Sequence, residues 1–429
     1  MTVALLVTFA VGLLVGLPVS LVMGISGLMA LQVGGTYPLV VLPQRAFGGI
    51  NSFPLMAVPL FILAADLMTA GKLTDSLLRF TNVLVGHVRG GLGHVNVLTS
   101  MLFAGISGSA LADAAGPGAI IMNMMRRAGY PAYYAGALTA TTATIGPIIP
   151  PSIIMVIYSV TDNRVTVAGL FLAGVVPGVM LGLALAAVNH IISRRRGYQS
   201  GSSAPGIGMI LRNFLPAVPG LLMPLIILGG ILGGIFTATE AAAVAVAYAI
   251  LAGFFITRTL TWRTLPGVFL RSGLLSSAVL LIVSLASVFS WLLTVLRVPQ
   301  ELAVWLSNLT DQRAVILVLL AVFILVCGLF IDTLPAVIIL TPILAPVATR
   351  FGIDPLHFAI MLTLNLAIGM VTPPVGPVLF VIATVGRLRL ERLARAVLPL
   401  LAAELVVLTV VIAFPQLSLT VPRLFGFTH

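Results

Sequence analysis

The chain has 429 residues, of which 60% are hydrophobic and only 8% are charged, and its mean hydropathy is +1.19. A soluble domain carries roughly 25% charged residues, so this composition excludes a soluble protein and indicates a helical bundle in a lipid bilayer. The basic residues behind the formal net charge of +11 lie in short loops, which favours orientation in a membrane over nucleic-acid binding.

The first half of the chain predicts a series of apolar helices around one unusual segment. Small and polar residues lie in the middle of that segment, at Gly105–Asp113, which is typical of a helical hairpin that enters the membrane and returns. In chain order we expect a crossing at Val3–Met23, a crossing at Phe53–Met68, an interfacial helix at Leu73–Val88, the hairpin at 94–127, a broken helix at 131–160 and a crossing at Leu170–Ile192.

The second half repeats the order of hairpin and broken helix. We expect crossings at Leu215–Phe236, Ala238–Ile256 and Leu274–Leu296, an interfacial helix at Pro299–Leu309, a hairpin at 312–350 with its tip at Gly328–Pro335, a broken helix at 355–386 and a crossing at Leu398–Phe414. The predicted division is a first repeat at 1–193, a cytoplasmic linker at 194–212, and a connecting helix with the second repeat at 213–429.

The two predicted helix breaks share a sequence pattern. TIGPIIPPSI at 144–153 and NLAIGMVTPPVGPVLF at 365–380 both contain Ile-Gly, three further residues and Pro-Pro. A Pro-Pro pair removes backbone donors and clashes with the preceding turn, so neither stretch continues as a regular helix. Broken helices in corresponding places of two halves indicate the binding site of a transporter.

The number of predicted spans between the two hairpins gives their relative orientation. Five spans separate them, so the hairpins open to opposite faces, as in an inverted-topology repeat. Placing Arg194–Arg196 in the cytoplasm puts sixteen of the 22 basic residues on that side, in agreement with the positive-inside rule. The first hairpin then opens to the cytoplasm, and the C-terminus lies outside.

The hairpin tips and the breaks together suit a site for an anion and sodium. Unwound backbone releases carbonyl oxygens for a cation, and the N-termini of half-helices favour an anion. Hydroxyl and amide groups nearby in the sequence add further oxygens, at Ser107, Ser109, Thr142, Thr144, Asn365 and Thr372. The alternative is that glycines and prolines only kink packed helices, but two matched breaks with polar tips favour a site.

Four acidic residues in apolar surroundings have alternative interpretations. Asp113 and Asp332 lie at the middle of the hairpins, where a carboxylate either caps the second helix or contacts the cation. Asp66 and Glu404 are expected near helix ends at the membrane interface, with a proton relay as the alternative. No catalytic motif, phosphate loop or metal-ligand spacing of histidines occurs, so we expect no enzyme, no cofactor and no transition metal.

Four stretches resemble the large membrane subunit of TRAP transporters, the DctM-like family. They are GISGSALAD at 105–113, IGPIIPPS at 145–152, GLFIDTLPAVIILTPILAPVA at 328–348 and FGIDPLHFAIMLTLNLAIGMVTPPVGPVLF at 351–380. The resemblance implies an all-α polytopic protein of the bacterial inner membrane, built as an inverted-repeat elevator-type transporter. It implies sodium-coupled, ATP-independent uptake of carboxylates such as C4-dicarboxylates or sialic acids. It also implies two partners, a small four-helix DctQ-like membrane subunit and an extracytoplasmic DctP-like binding protein.

The resemblance also assigns residues to three sites. The first sodium site is expected at Ser107, Gly108, Ser109, Asp113, Thr144, Gly146 and Pro147, and the second at Gly328, Asp332, Asn365, Gly369 and Thr372. The substrate is expected between the tips and the breaks, at Ser107, Ser109, Thr142, Pro150, Asp332, Thr333 and Pro373. The alternative function is a stand-alone sodium- or proton-coupled carrier of the same architecture, and a third is an intramembrane enzyme or scaffold.

Overall fold

The computed structural model describes residues 1–198, 205–310 and 312–427. All regular structure in these ranges is helical, which confirms the predicted all-α polytopic membrane fold. Seven of the described helices are long and apolar enough to cross a membrane, or eight when the bent pair Val41–Ile50 and Pro54–Ala70 is taken as one span. The predicted linker at 194–212 lies partly outside the described residues.

The helices of the first half follow the predicted order from the second crossing onward. They are α1 (Thr2–Leu14), α2 (Val19–Gly34), α3 (Val41–Ile50), a 3₁₀ turn (Pro54–Met56), α4 (Ala57–Ala70), α5 (Leu73–Val85), α6 (Gly91–Ser107), α7 (Ala110–Asp113), a π-helical turn (Ala114–Gly118), α8 (Ala119–Arg127), α9 (Ala132–Ala143), α10 (Ile153–Thr161) and α11 (Val167–Arg196).

The helices of the second half also follow the predicted order. They are α12 (Ile207–Leu232), α13 (Ala238–Leu251), a π-helical turn (Ala252–Ile256), α14 (Leu265–Val295), α15 (Val298–Leu309), α16 (Arg313–Phe330), α17 (Thr333–Arg350), α18 (Pro355–Gly369), α19 (Pro377–Gly386), α20 (Leu390–Ala413) and α21 (Gln416–Leu424).

The predicted first crossing at Val3–Met23 is wrong, because the chain reverses within it. Helix α1 ends at Leu14, Gly16 adopts a left-handed conformation with φ of +81°, and Pro18 precedes α2. A Cβ atom added to Gly34 would lie 2.8 Å from Met1 Sδ, so the end of α2 lies beside the start of α1. The two helices therefore form an antiparallel pair, which the uninterrupted apolar run conceals.

The predicted hairpins and breaks all appear as interruptions between helices. In the first hairpin, Asn96 Nδ2 near the start of α6 lies 3.9 Å from Met125 Sδ near the end of α8, so its arms are antiparallel. In the second, the extended residues Ile331 and Asp332 separate α16 from α17. The segment 144–152 interrupts the first broken helix, and 370–376 interrupts the second.

The first halves of the broken helices form the centre of the bundle. Every residue of α18 after its first is buried, and so is every residue of α9 from Tyr134 onward. Both helices run directly into their breaks. The first unwound segment is buried almost throughout, whereas 372–375 in the second are half-buried or exposed. The opposite orientation of the two repeats and their boundaries stay predictions.

Candidate functional site

The tip of the first hairpin packs against the first break. Helix α6 ends at Ser107, and Gly108 turns the chain with φ of +58°. A Cβ atom added to Gly108 would lie 2.9 Å from the backbone nitrogen of Ile153 and 3.1 Å from the carbonyl oxygen of Pro151. Gly108 therefore allows a backbone contact between the tip and the break that a larger residue would prevent.

Asp113 lies close to this contact between the hairpin tip and the break, and the residue is 1% exposed. Ser107 Oγ donates a hydrogen bond to its Oδ1 atom, whereas Oδ2 has no hydrogen-bond partner among the residues that the structure describes. A Cβ atom added to Gly146 would lie 2.6 Å from Oδ2, so this oxygen faces the unwound segment. Asp113 does not cap the second arm, because Ser109 accepts the capping bond from the nitrogen of Ala112.

The first break also contacts a helix that the sequence did not connect with it. Thr144 Oγ1 lies 2.6 Å from the carbonyl oxygen of Thr141 and 2.7 Å from Glu404 Oε1, in the middle of α20. Glu404 is 0% exposed, and none of the described residues forms a hydrogen bond with its Oε2 atom. The expected interfacial position of Glu404 is therefore wrong. A lone acidic residue in an apolar run is the signal that marks it.

The rest of the first break is ordered by its own side chains. Ser152 caps α10 by accepting a hydrogen bond from the nitrogen of Met155, and it donates to the carbonyl oxygen of Pro147 at 2.6 Å. The Pro150–Pro151 peptide bond is cis. Pro147 thus lies in a well-defined turn between the two half-helices, next to the hairpin tip.

The second hairpin approaches the second break through two glycines. A Cβ atom added to Gly369 would lie 2.7 Å from both the Cα and the carbonyl carbon of Gly328. The nitrogen of Gly376, after the break, donates to the carbonyl oxygen of Leu329 at 3.1 Å. The Pro373–Pro374 bond is cis, like its counterpart in the first break. The backbones of the tip and the break are therefore in direct contact.

Asn365 is a buried polar residue near the end of α18, just before the second break. Its Nδ2 atom donates to the carbonyl oxygen of Ala321 at 2.7 Å, and its Oδ1 atom finds no hydrogen-bond partner in the ranges that the structure describes. Thr372 Oγ1 donates to the carbonyl oxygen of Ile368 at 2.8 Å. Asp332 caps α17 by accepting a hydrogen bond of 2.7 Å from the nitrogen of Thr333, and Thr333 Oγ1 lies 2.6 Å from Met370 Sδ.

One cavity of about 980 Å³ joins the two hairpin tips. Its lining includes the predicted residues Ser107, Gly108, Ser109, Pro147, Asp332 and Thr333. Thr142, Pro150 and Pro373 are not among the lining residues. Thr142 is buried, and its Oγ1 atom donates to Asn96 Oδ1 at 3.2 Å, which joins α9 to α6.

The wall of the cavity opposite the tips comes from α4, α5 and α14. Here the structure brings together Asp66 and Arg271, whose atoms Oδ1 and Nη2 are 2.5 Å apart. Ser272 Oγ also donates to Asp66 Oδ2, at 2.7 Å. No sequence pattern indicated this pair, because its members are separated by more than two hundred residues.

The comparisons with known proteins agree with this architecture. Residues 6–417 match the family described as "Tripartite ATP-independent periplasmic transporter, DctM component". The chain is 42% identical over 382 residues to the sialic acid TRAP transporter large permease protein SiaM of Vibrio cholerae, covering 89% of each chain. It is 37% identical over 409 residues to the C4-dicarboxylate TRAP transporter large permease protein DctM of Pseudomonas aeruginosa, covering 94% of each.

A solved structure has a similar fold. The Alcanivorax borkumensis YdaH transporter aligns with a TM-score of 0.59 at 15% sequence identity, over 92% of this chain and 89% of that chain. The named relatives are permeases and not enzymes, in agreement with the expectation from the sequence. The chain belongs to the DctM family and is a multi-pass large permease subunit of a TRAP transporter.

Proposed function

We propose that this permease couples the uptake of an organic carboxylate to a sodium gradient. The observation that carries the proposal is a pair of buried oxygen atoms, Asp113 Oδ2 and Asn365 Oδ1, that have no hydrogen-bond partner in the described part of the chain. Burying an oxygen without a partner is unfavourable, and a cation relieves that cost by accepting it as a ligand. Asp113 faces the first of the two matched breaks, and Asn365 lies in the helix that leads into the second.

The first sodium ion binds between the first tip and the first break. Asp113 supplies the negative charge, and the unwound segment at Thr144–Pro147 supplies backbone carbonyl oxygens. Ser107 orients the carboxylate through its hydrogen bond to Oδ1, which leaves Oδ2 for the ion.

The second sodium ion binds at the second break. Asn365, Thr372 and the backbone of the Gly328–Gly369 contact provide neutral oxygen ligands, and Asp332 provides a carboxylate at the hairpin tip. The substrate binds in the cavity between the two tips, close to both ions, whose positive charges favour a carboxylate. The names of both relatives, which refer to sialic acid and a C4-dicarboxylate, support an acidic substrate.

The hairpins and broken helices move together past the remaining helices, as in an elevator. Contacts between the two halves of the chain support this proposal, because α10 packs against α17 and α8 packs against α19. Helices α3, α4, α13 and α14 serve as the scaffold in this proposal, since α4 packs against α13 and α14, and α14 packs against α3. The cavity lies between these two sets.

The complete transporter contains two further chains, a small four-helix membrane subunit and an extracytoplasmic substrate-binding protein. It resides in the bacterial inner membrane, with the C-terminus of this chain in the periplasm. The family assignment supports both partners.

Uptake into proteoliposomes tests this function. The vesicles contain this chain and its small subunit, an inward sodium gradient is imposed, and labelled succinate, sialic acid or pyruvate is supplied with or without the cognate binding protein. Uptake that requires both sodium and the binding protein is expected. Uptake by this chain without the binding protein would instead support a stand-alone carrier.

A further inference from the structure

The cavity contains one basic side chain among the lining residues that the structure describes. Arg271, in the second turn of α14, shares the cavity with three acidic lining residues, Asp66, Asp75 and Asp332. Its side chain is 67% exposed, whereas that of Asp66 is 12% exposed. The guanidinium group is therefore accessible from the cavity, while its carboxylate partner is largely covered.

The contact with Asp66 occupies only part of the guanidinium group. Nη2 of Arg271 donates to Asp66 Oδ1 at 2.5 Å, and the second oxygen, Oδ2, is bound by Ser272. An arginine has five N–H donors arranged to bind carboxylates in pairs. The monodentate contact leaves donors free for a second carboxylate, and Asp66 limits the positions that the guanidinium can adopt.

We propose that Arg271 is a carboxylate-binding residue of the scaffold wall, which binds the acid group of the substrate in the cavity. This inference rests on the proposed function, since it assumes that the hairpin tips bring an organic anion to the cavity. Asp66 occupies one donor of the guanidinium and competes with the acid group of the substrate for it. The scaffold thereby contributes to substrate selection, in addition to the hairpin tips.

The alternative is that Asp66 and Arg271 only join α4 to α14. The two interpretations differ in what they predict for the two partners. If the pair is structural, Arg271→Gln and Asp66→Asn break the same contact and change the apparent KM equally. If Arg271 binds substrate, Asp66→Asn removes a competing carboxylate and leaves the cation in the cavity, whereas Arg271→Gln removes the cation.

Uptake kinetics in the reconstituted complex separate these cases. We expect Arg271→Gln to raise the apparent KM roughly tenfold to a hundredfold, as for loss of a charge-assisted hydrogen bond. Arg271→Lys retains the charge and restores part of the affinity. Asp66→Asn leaves KM unchanged or lowers it, and none of the variants changes the sodium dependence. Equal increases of KM in Arg271→Gln and Asp66→Asn would overturn the proposal.

Chemical labelling gives a readout that does not depend on transport. The purified complex is treated with phenylglyoxal, and modification of Arg271 is compared with that of Arg194 by mass spectrometry. Succinate, sialic acid or pyruvate is expected to protect Arg271 more strongly than succinamate, the methyl ester of sialic acid or pyruvamide. Equal labelling with and without all three acids would overturn the inference. Protection without sodium-driven uptake would retain it and contradict the proposed coupling.

Discussion

Arg126, at the end of α8, donates a hydrogen bond of 3.1 Å from Nη1 to the carbonyl oxygen of Gly386, at the end of α19. A corresponding contact lies elsewhere in the bundle, where Arg164 Nη1 donates to Thr349 Oγ1 at 2.6 Å, near the end of α17. Arg126 joins the first hairpin to the end of the second broken helix, and Arg164, in the loop that follows α10, joins the end of the first broken helix to the second hairpin. The two predicted repeats are thus connected crosswise.

These crosswise contacts predict a mechanical role for both arginines. Both are exposed, so replacing either with glutamine removes only a few tenths to about 1 kcal/mol of stability. Asp162 fixes the Arg164 side chain through two contacts of 2.7 Å, so Asp162→Asn is expected to have the same effect on stability as Arg164→Gln. If the hairpins move as one body, the double variant Arg126→Gln/Arg164→Gln transports more slowly and binds sodium normally. Wild-type uptake in the double variant would contradict a mechanical role for these crosswise contacts.

Gly369→Ala is expected to disturb the second site through packing alone. The added Cβ atom would lie 2.7 Å from backbone atoms of Gly328, which have no flexible side chain that can move aside. Overpacking of this kind costs about 1–3 kcal/mol. Thermal unfolding of the purified protein measures the loss. Gly229→Ala in α12 is the matched control, because nothing lies within 4 Å of its Cβ position, and a wild-type melting temperature is expected there.

Asn365→Ala is expected to abolish the stabilisation that sodium gives to the second break. The variant loses the unpaired Oδ1 atom and leaves the carbonyl oxygen of Ala321 without its side-chain donor. Melting temperatures in sodium and in potassium at equal ionic strength measure the effect. Asn213→Ala is the control, since that exposed side chain only donates to the carbonyl oxygen of Met209 in its own helix. An unchanged sodium-specific shift in Asn365→Ala would show that the ion binds elsewhere.

Glu404 is expected to support the first break through Thr144. Glu404→Gln retains an oxygen that accepts from Thr144 Oγ1, whereas Glu404→Leu removes the contact at similar volume. The leucine variant leaves Thr144 with the carbonyl oxygen of Thr141 as its acceptor, so its stability stays within roughly 1 kcal/mol of wild type. Sodium affinity is expected to fall in Glu404→Leu and to be largely retained in Glu404→Gln, as measured by sodium titration of uptake. Equal affinities in both variants would contradict a role for this contact.

The breaks were predictable because their cause is local. Each Pro-Pro pair prevents a regular helix wherever it occurs, so Pro150–Pro151 and Pro373–Pro374 located the unwound segments without knowledge of the fold. The same local chemistry lies at Gly16 and Pro18, where the reversal between α1 and α2 was missed. A single glycine and a single proline are common inside membrane helices, so the apolar run dominated the prediction.

The contacts around the site were less predictable because they are remote in sequence. Thr144 and Glu404 are 260 positions apart, as are Arg126 and Gly386, and no local pattern connects such pairs. Asp113 shows a different limit. Its position at the hairpin tip made it a candidate for capping or for cation binding, but helix geometry gives the capping role to Ser109 and turns the carboxylate toward Gly146.

The sodium dependence of uptake tests the two-site account most directly. In the reconstituted complex, the initial rate is measured against sodium concentration for the wild type, Asp113→Asn and Asn365→Ala. The account predicts a sigmoidal dependence for the wild type, and a weaker dependence without sigmoidicity in each variant, because one of two sites is lost. A hyperbolic wild-type curve that neither substitution changes would contradict the assignment of sodium to the two helix breaks.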